Sequence, residues 1–411
     1  MTSTLTWLDY SERDRRRALE VIDRFKETET IDELGLAGVG NSYSDLFFPG
    51  TTTLQTRACY FLLIPWAFLK LEQSSVASSE AARKARTAEL RINRRLRKGT
   101  DTWGIFGSQA GDALKRLPSE VYWGGLGAWG IRTFSGHKRA YFRSLDGFRR
   151  RKEQFRNTRR DPEGRSAPPM NWHPHLPKPP SGFPSAGVSV ALRRRDAEYL
   201  RERIQTRQSE SLLAVLAGRA VAKDLDADWP WDLANLPEVP PLLRNHLLDA
   251  KRFAVCMQGA ALLYNLMLSE LRKREEWQER YRRRLANWAD EVLELESALE
   301  DWKLDRVWRV VRTQGWSLRY PTRSFVQSWV KNLKRAGPEC IADNDNARTL
   351  VRDRETQLKR ARARLTNPRR LELWGGESGT GRLSYRWGPA RRVLKDIFDG
   401  LARSEGDAGN A

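Results

Sequence analysis

The chain has 411 residues, of which 40% are hydrophobic and 30% charged, and its 73 Lys and Arg outnumber its 52 Asp and Glu to give a formal net charge of +21. This composition excludes a disordered tail, because it supplies enough apolar material for the cores of two or three domains. The three cysteines, Cys59, Cys256 and Cys340, are far apart and odd in number, which excludes a disulfide framework and favours a reducing, cytoplasmic location.

The first part of the chain is predicted to be helical. Residues 11–27 place apolar side chains at helical spacing, and residues 58–69 are apolar on all sides, which is typical of a buried helix that Pro65 kinks or divides. This run is too short to cross a bilayer, which needs about 20 residues. In residues 81–98 one narrow stripe is small or apolar and arginines cover the rest, which predicts an amphipathic helix with a basic outer face; the stripe consists of Ala81, Ala85, Ala88, Ile92 and Leu96.

A pair of short helices is predicted next, over residues 108–131 and around Pro118, with a DNA-binding helix-turn-helix as an alternative interpretation. Residues 161–187 follow and contain eight prolines. Such a segment excludes regular structure and predicts either a linker or a long loop pinned by Trp172 and Phe183.

The predicted domains follow from this segment: an N-terminal helical domain with basic helices (1–160), the proline-rich connection (161–187) and a C-terminal helical domain (188–411). Residues 253–271 have the length of a membrane span, but the polar side chains among them predict a helix buried in protein and no membrane.

Further helices are predicted over 194–208, 209–218, 242–311 (two or three long ones), 321–335 and 344–365, and at the C-terminus. Between the last two lies "ELWGGESGTGRLSYRW", which predicts a turn with a short strand or hairpin. The fold class is therefore mainly α, with two helical lobes, a Pro-rich connecting segment and a minor β element near the C-terminus.

Positive charge is concentrated in three segments. Residues 83–98 contain eight Lys and Arg and one acid, residues 132–160 eleven and two, and residues 348–370 nine and two, so these segments account for the whole excess. Clustered positive charge is typical of a polyphosphate partner, because each neutralised phosphate releases counterions. The candidate nucleic-acid contacts are Arg83, Lys84, Arg86, Arg91, Arg94, Arg95, Arg97, Lys98, Arg149, Arg150, Arg151, Lys152, Arg352, Arg354, Lys359, Arg360, Arg362 and Arg364. A solvated or protein-binding face is the alternative.

A second candidate site is the threonine tract after Pro49-Gly50. Thr51, Thr52 and Thr53 with Arg57 would hold an anion if they open a helix, because the amides at a helix N-terminus and a guanidinium attract negative charge. The Lys and the spaced glycine of a Walker motif are absent, and the alternative is a helix cap with a solvated arginine.

No catalytic motif, metal site or cofactor is predicted. The acid–base pair Glu355 and Lys359, four residues apart, is the place where a metal-dependent nuclease would be sought. On a helix the same spacing usually produces an ion pair.

The stretches "LTWLDYSERDRRRALEVIDRF" and "DELGLAGVGNSYSDLFFPGTTTLQTRACYFLLIPW" resemble an uncharacterised bacterial family of about 400 residues that carries a domain-of-unknown-function label. "LPSEVYWGGLGAWGI", "GAALLYNLML", "RDRETQLKRARARL" and "LSYRW" extend the likeness nearly end to end. One departure is Cys59, where the family pattern has arginine. The resemblance implies a setting among mobile or antiphage-defence genes that include helicases and other nucleic-acid enzymes, and it implies no catalytic residue.

The function expected from these observations is that of a non-enzymatic nucleic-acid-binding accessory protein in a bacterial antiphage-defence or DNA-processing system. DNA is favoured over RNA as the partner, and helicase or nuclease subunits of the same system are the expected protein partners. The alternatives are a scaffold whose basic faces bind acidic proteins and a cryptic metal-dependent nuclease.

Overall fold

The computed structural model describes residues 32–108, 111–158 and 169–404, so the helix predicted over 11–27 lies outside the described residues. The α-helices are α1 (Ala37–Phe47), α2 (Tyr60–Gln73), α3 (Ser78–Leu96), α4 (Pro118–Ala128), α5 (Lys138–Thr158), α6 (Arg194–Arg207), α7 (Leu212–Arg219), α8 (Pro241–Leu271), α9 (Glu275–Leu293), α10 (Glu296–Glu300), α11 (Leu304–Thr313), α12 (Tyr320–Ala336), α13 (Asp345–Lys359), α14 (Pro368–Leu371) and α15 (Trp387–Leu401). Short 3₁₀ turns occur at Gly111–Ala113, Ala222–Asp226, Pro230–Leu233, Pro338–Asp343 and Arg360–Arg362.

The chain forms two compact units, and each is assembled from separate stretches of sequence. Among the described residues, the first unit contains Phe48–Ala227 and the segment that begins at Arg386, and the second contains Asp228–Tyr385 and the residues up to Phe47. This division differs from the predicted one at 161–187, because both sides of the proline-rich segment belong to the first unit.

Helix α2 forms the centre of the first unit. Its aromatic side chains are buried, and the most exposed of them, Trp66, retains 5% of its surface. Phe61 stacks on Trp129 with ring centroids 3.9 Å apart. The helix continues through Pro65 without a break, so the predicted core helix is confirmed and the proline does not divide it. Helices α3 and α4 pack against α2, and α15 packs against α6 and α7.

The described part of the proline-rich segment is a long loop on the first unit. Trp172 is 3% exposed and Phe183 is 8% exposed, so both anchor the loop in the core. The backbone N–H of His173 also donates to the carbonyl of Ile131 at 2.8 Å. Of the two predicted alternatives, the pinned loop is therefore the one that the structure contains.

The second unit is organised around the 31-residue helix α8, against which α9, α11, α12 and α13 pack. Gly259 permits the closest approach, since a Cβ there would lie 2.2 Å from the ring of Trp288. The indole N–H of Trp288 donates to the carbonyl of Val255 at 2.8 Å. Within the described ranges, α8 alone is long and apolar enough to cross a membrane, and 78% of its apolar window is buried inside the protein, which matches the predicted buried helix.

The strand predicted near the C-terminus is absent: the described residues contain no β-strand, and the one isolated bridge joins Arg132 and Trp172. Two local features explain the error. The backbone N–H and carbonyl of Ser378 bond to the side chain of Asn265 at 2.9 and 2.8 Å instead of to a neighbouring strand. Tyr385 has a left-handed φ of 51°, which is incompatible with an extended strand.

The helix pair predicted over 108–131 is also wrong. Pro118 is the first residue of α4, where its missing N–H has no helical partner to lose. The described residues before it form only the 3₁₀ turn Gly111–Ala113. A single helix after a short turn does not make a helix-turn-helix, so that alternative is excluded for this segment.

Candidate nucleic-acid interface

Helix α3 exposes a basic face to solvent, because its apolar stripe packs against the protein. Four members of the predicted stripe, Ala81, Ala85, Ile92 and Leu96, are buried, and the fifth, Ala88, is half-buried. Opposite them, the exposed side chains include Arg94. Exposed Arg95 and Lys98 have no ionic or hydrogen-bonded partner among the described residues. Exposed Lys84 makes no hydrogen bond within the described ranges, but like Arg83 it interacts electrostatically with Glu80. The other predicted residues make local contacts: Arg83 with Glu80, Arg86 with the carbonyl of Leu114, Arg91 with Ser185 and Arg97 with the carbonyl of Gly107.

Helix α5 adds a second basic face beside α3. The two helices are joined where the N–H of Ser78 donates to Asp146 Oδ2 at 3.0 Å and the N–H of Asp146 donates to Ser78 Oγ at 2.8 Å. Arg150 and Arg151 are exposed, and neither has a partner in the part of the chain that the structure describes. Arg149 instead pairs with Asp146 Oδ1 at 2.6 Å.

Three further exposed arginines, Arg139, Arg143 and Arg156, lie on α5 within the predicted basic segment. The fourth predicted contact on this helix, Lys152, has its ammonium 5.9 Å from the ring centroid of Phe148. Two of the three predicted basic segments therefore form neighbouring cationic faces of the first unit.

The third basic segment lies in the second unit, where some of its cations are exposed and others are buried. Arg352, Arg360 and Arg362 are exposed and have no partner within the described ranges. Arg354 is buried and donates to the carbonyl of Leu34 at 2.9 Å. Only part of this segment is therefore available to a partner.

Lys359 and Arg364 also turn inward, toward two carboxylates, and we name this group the Glu33–Glu355 cluster. Glu355 is fully buried and accepts hydrogen bonds from Lys359 Nζ at 2.9 Å and from the hydroxyl of Tyr264 at 2.6 Å. Glu33, 4% exposed, pairs with Lys359 and with Arg364 Nη1, the latter at 2.7 Å. Two cations thus neutralise two carboxylates inside the second unit.

The electrostatics of the cluster are those of a structural ion-pair network. Burial alone would raise the pKa of Glu33, but Lys359, Ser378 and Arg364 outweigh it and hold that pKa below its ordinary value. The oxygens of Glu355 also accept the backbone N–H groups of residues 364 and 365, each at 2.9 Å. No group of three metal-ligating side chains occurs in the described ranges. Glu355 and Lys359 form an internal ion pair with Nζ and Oε1 2.9 Å apart.

Arg57 is buried and paired, so its interpretation as a solvated arginine is wrong. Its Nε donates to both oxygens of Asp396 at 3.1 Å, and its Nη1 donates to Asp101 at 2.7 Å. Burial would lower the pKa of this guanidinium, but the two carboxylates outweigh that effect and raise it. The positive charge is therefore already neutralised within the first unit.

The threonine tract lies at a distance from any helix start. Helix α2 begins at Tyr60, so the threonines neither open nor cap it. The hydroxyl of buried Thr51 donates to the carbonyl of Phe48 at 2.6 Å. Thr52 and Thr53 are half-buried, and the Thr52 hydroxyl has no hydrogen-bond partner among the residues described. The tract and Arg57 do not assemble the helix N-terminus on which the anion-site hypothesis depended.

Sequence reasoning missed an arginine-lined cavity of about 710 Å³ in the first unit, whose walls include Arg132, Arg203 and Arg207. Arg203 is 7% exposed and donates to the ring Nε2 of His173 at 2.8 Å. These arginines come from α6 and from the loop that follows α4. No local run of charge marks them, and only the fold brings them together.

The fold and surface described above define a basic, mainly helical protein of two units, whose first unit exposes the unpaired cations Arg95, Lys98, Arg150 and Arg151. The chain matches the model of a family of unknown function, DUF6361, over residues 2–401, and it belongs to that family. This agrees with the expected uncharacterised family of about 400 residues. No curated protein and no solved structure matches the chain.

Proposed function

We propose that this protein binds nucleic acid without catalysing a reaction. The observation that carries the proposal is the set of exposed, unpartnered cations on two helices that pack together: Arg95 and Lys98 on and just after α3, and Arg150 and Arg151 on α5. Exposed cations that have no counter-charge of their own attract a polyanion, and the release of counterions from phosphates favours its binding.

The biological setting proposed for this activity is a bacterial antiphage-defence or DNA-processing system in which the protein accompanies helicase or nuclease subunits. This part of the proposal rests on the family resemblance. DNA is the proposed ligand, and arginine-rich faces without a sequence-reading element favour contacts to the phosphate backbone over contacts to base edges.

The salt dependence of the binding constant distinguishes nucleic-acid binding from a scaffold that binds acidic proteins. For duplex DNA the logarithm of the binding constant falls linearly with the logarithm of the salt concentration, with a slope of about −0.9 for each phosphate neutralised. The full-length protein is expected to bind duplex and single-stranded oligonucleotides with little sequence preference and a steep salt dependence. Binding that barely changes with salt would contradict the proposal.

A charge-reversal variant tests whether α3 and α5 form the nucleic-acid-binding surface. Replacing Lys98, Arg150 and Arg151 by Glu is expected to weaken binding at least tenfold and to reduce the magnitude of the duplex salt slope by about 3, because three phosphate contacts are lost. The matched control replaces Arg309, Arg312 and Lys331 by Glu, since these exposed cations of the second unit lie outside the three basic segments. Equal losses in both variants would indicate a general charge effect and would remove α3 and α5 as the binding surface.

A further inference from the structure

An indole side chain is held in solvent immediately after the basic end of α3. Trp103 is 58% exposed and lies in the loop that follows Arg95 and Lys98. Single exposed apolar side chains are common on protein surfaces, so this exposure alone carries no functional meaning. The distinguishing features are how rigidly its backbone is held and what surrounds it.

The backbone around Trp103 is fastened to the core of the first unit. Its carbonyl accepts a hydrogen bond from buried Arg57 at 3.1 Å, and its N–H donates to Asp101 at 3.1 Å. The hydroxyl of Thr56 donates to the carbonyl of the next residue, Gly104, at 2.6 Å. A side chain presented from a fixed backbone loses less conformational entropy when it binds a partner.

Positive charge accompanies the exposed ring. The guanidinium carbon of Arg392 lies 5.6 Å from the indole centroid, and Arg97 ties the far end of the loop to α3 by donating to the carbonyl of Gly107 at 3.2 Å. Exposed Lys98 precedes the loop directly. An aromatic ring beside cations is the combination with which proteins hold single-stranded nucleic acid, because the ring stacks on a base while the cations contact the backbone.

We propose that Trp103 stacks on an unpaired nucleobase of a single-stranded nucleic acid whose phosphates contact Arg95 and Lys98. This inference rests on the proposed function and restricts the ligand of this contact to single-stranded nucleic acid. Bases in an intact duplex are already stacked on their neighbours, so the contact requires an unpaired base.

The test compares a single-stranded oligonucleotide with an abasic oligonucleotide of the same length, which retains the phosphates and lacks the bases. Trp103→Ala is expected to weaken binding of the normal strand by about tenfold, within the range for loss of one stacked base, and to leave the abasic strand unchanged. The salt slope should stay the same, because no ionic contact is removed. Trp103→Phe should restore most of the lost affinity.

Two further variants serve as controls. Tyr320→Ala removes another exposed aromatic side chain, 79% exposed in the second unit, and should alter neither affinity. Lys98→Glu should weaken both oligonucleotides and reduce the salt slope. If Trp103→Ala weakens the normal and abasic strands equally, or neither of them, the stacking inference is wrong while nucleic-acid binding stands. If the wild-type protein binds duplex DNA but neither single strand, only the stacking inference fails; if it binds no duplex either, the proposed function itself fails.

Discussion

Each unit contains a deeply buried carboxylate with several hydrogen-bond donors, but the donors differ in charge. In the first unit, Glu72 Oε1 accepts from the hydroxyl of Tyr141 at 2.7 Å, the amide of Asn171 at 3.0 Å and the indole of Trp172 at 2.9 Å, all of which are neutral. In the second unit, Glu33 faces the cations Lys359 and Arg364.

The contrast shows in the direction of the two pKa shifts. Burial raises the pKa of Glu72, and its three neutral donors and Lys152 offset only part of that rise. Burial acts on Glu33 in the same sense, but Lys359, Ser378 and Arg364 reverse the outcome. Both carboxylates are buried, and the charge of their neighbours accounts for the opposite directions of these two pKa shifts.

The largest effect is expected from Lys359→Met, which keeps most of the alkyl stem and removes the ammonium. Arg364 would then remain paired with Glu33, and Glu355 would lose its ionic partner. Breaking a buried pair in this way typically costs about 3–5 kcal/mol. The free energy of unfolding from denaturant titration measures the loss. Lys395→Met is the matched control, because Lys395 pairs with Asp399 on the surface and should matter little. Equal stability of the two variants would contradict the assigned role of the cluster.

Glu33→Gln should have the next largest effect. It weakens hydrogen bonds to two charged donors and is expected to cost about 2–3 kcal/mol at neutral pH. Because the folded pKa of Glu33 lies below the ordinary value of 4.5, the advantage of the wild type is fully present above pH 4.5 and is lost as pH falls through the folded pKa. Denaturant titrations of both proteins at about four pH values from 3 to 7 test whether the difference in their free energy of unfolding shrinks as pH falls.

Glu72→Gln should have the smallest effect and the opposite pH dependence. The three donors all bond to Oε1, an oxygen that glutamine retains, so the cost at neutral pH should be about 1 kcal/mol or less. Because the folded pKa of Glu72 is raised, the wild type is most stable relative to the variant below pH 4.5 and loses that advantage as pH rises. A stability gap that grows with pH, as for Glu33, would refute the contrast between the two units.

Local sequence pattern predicted the elements that depend on local composition. The apolar run at 58–69 predicted the core helix α2, and the stripe of Ala81, Ala85, Ala88, Ile92 and Leu96 predicted the buried face of α3, on which only Ala88 is half-buried. Both patterns show which side of a helix faces protein and which faces water, and a short stretch of sequence is enough to reveal this. The strand near the C-terminus was wrong because tertiary hydrogen bonds override weak β propensity there.

The polar partnerships could not be predicted in the same way. Arg57 pairs with Asp396, 339 positions along the chain, and Lys359 pairs with Glu33, 326 positions away. An arginine in a local window looks the same whether it is solvated or buried against a distant carboxylate. For this reason two predictions differ from the structure: the anion-site hypothesis for Arg57 and the division into domains at 161–187. Each depended on which distant segments of the chain pack together.

The return of α15 to the first unit has a consequence for the order of events during synthesis. Asp396 follows Arg57 by 339 residues, and ribosomes add roughly 5–20 residues each second, so Arg57 emerges about 17–70 seconds before its carboxylate partner. During that interval the nascent first unit lacks its closing helix and exposes apolar surface that α15 will later cover. We expect a chain that stops before Trp387 to leave this apolar surface uncovered, which favours aggregation of the truncated protein.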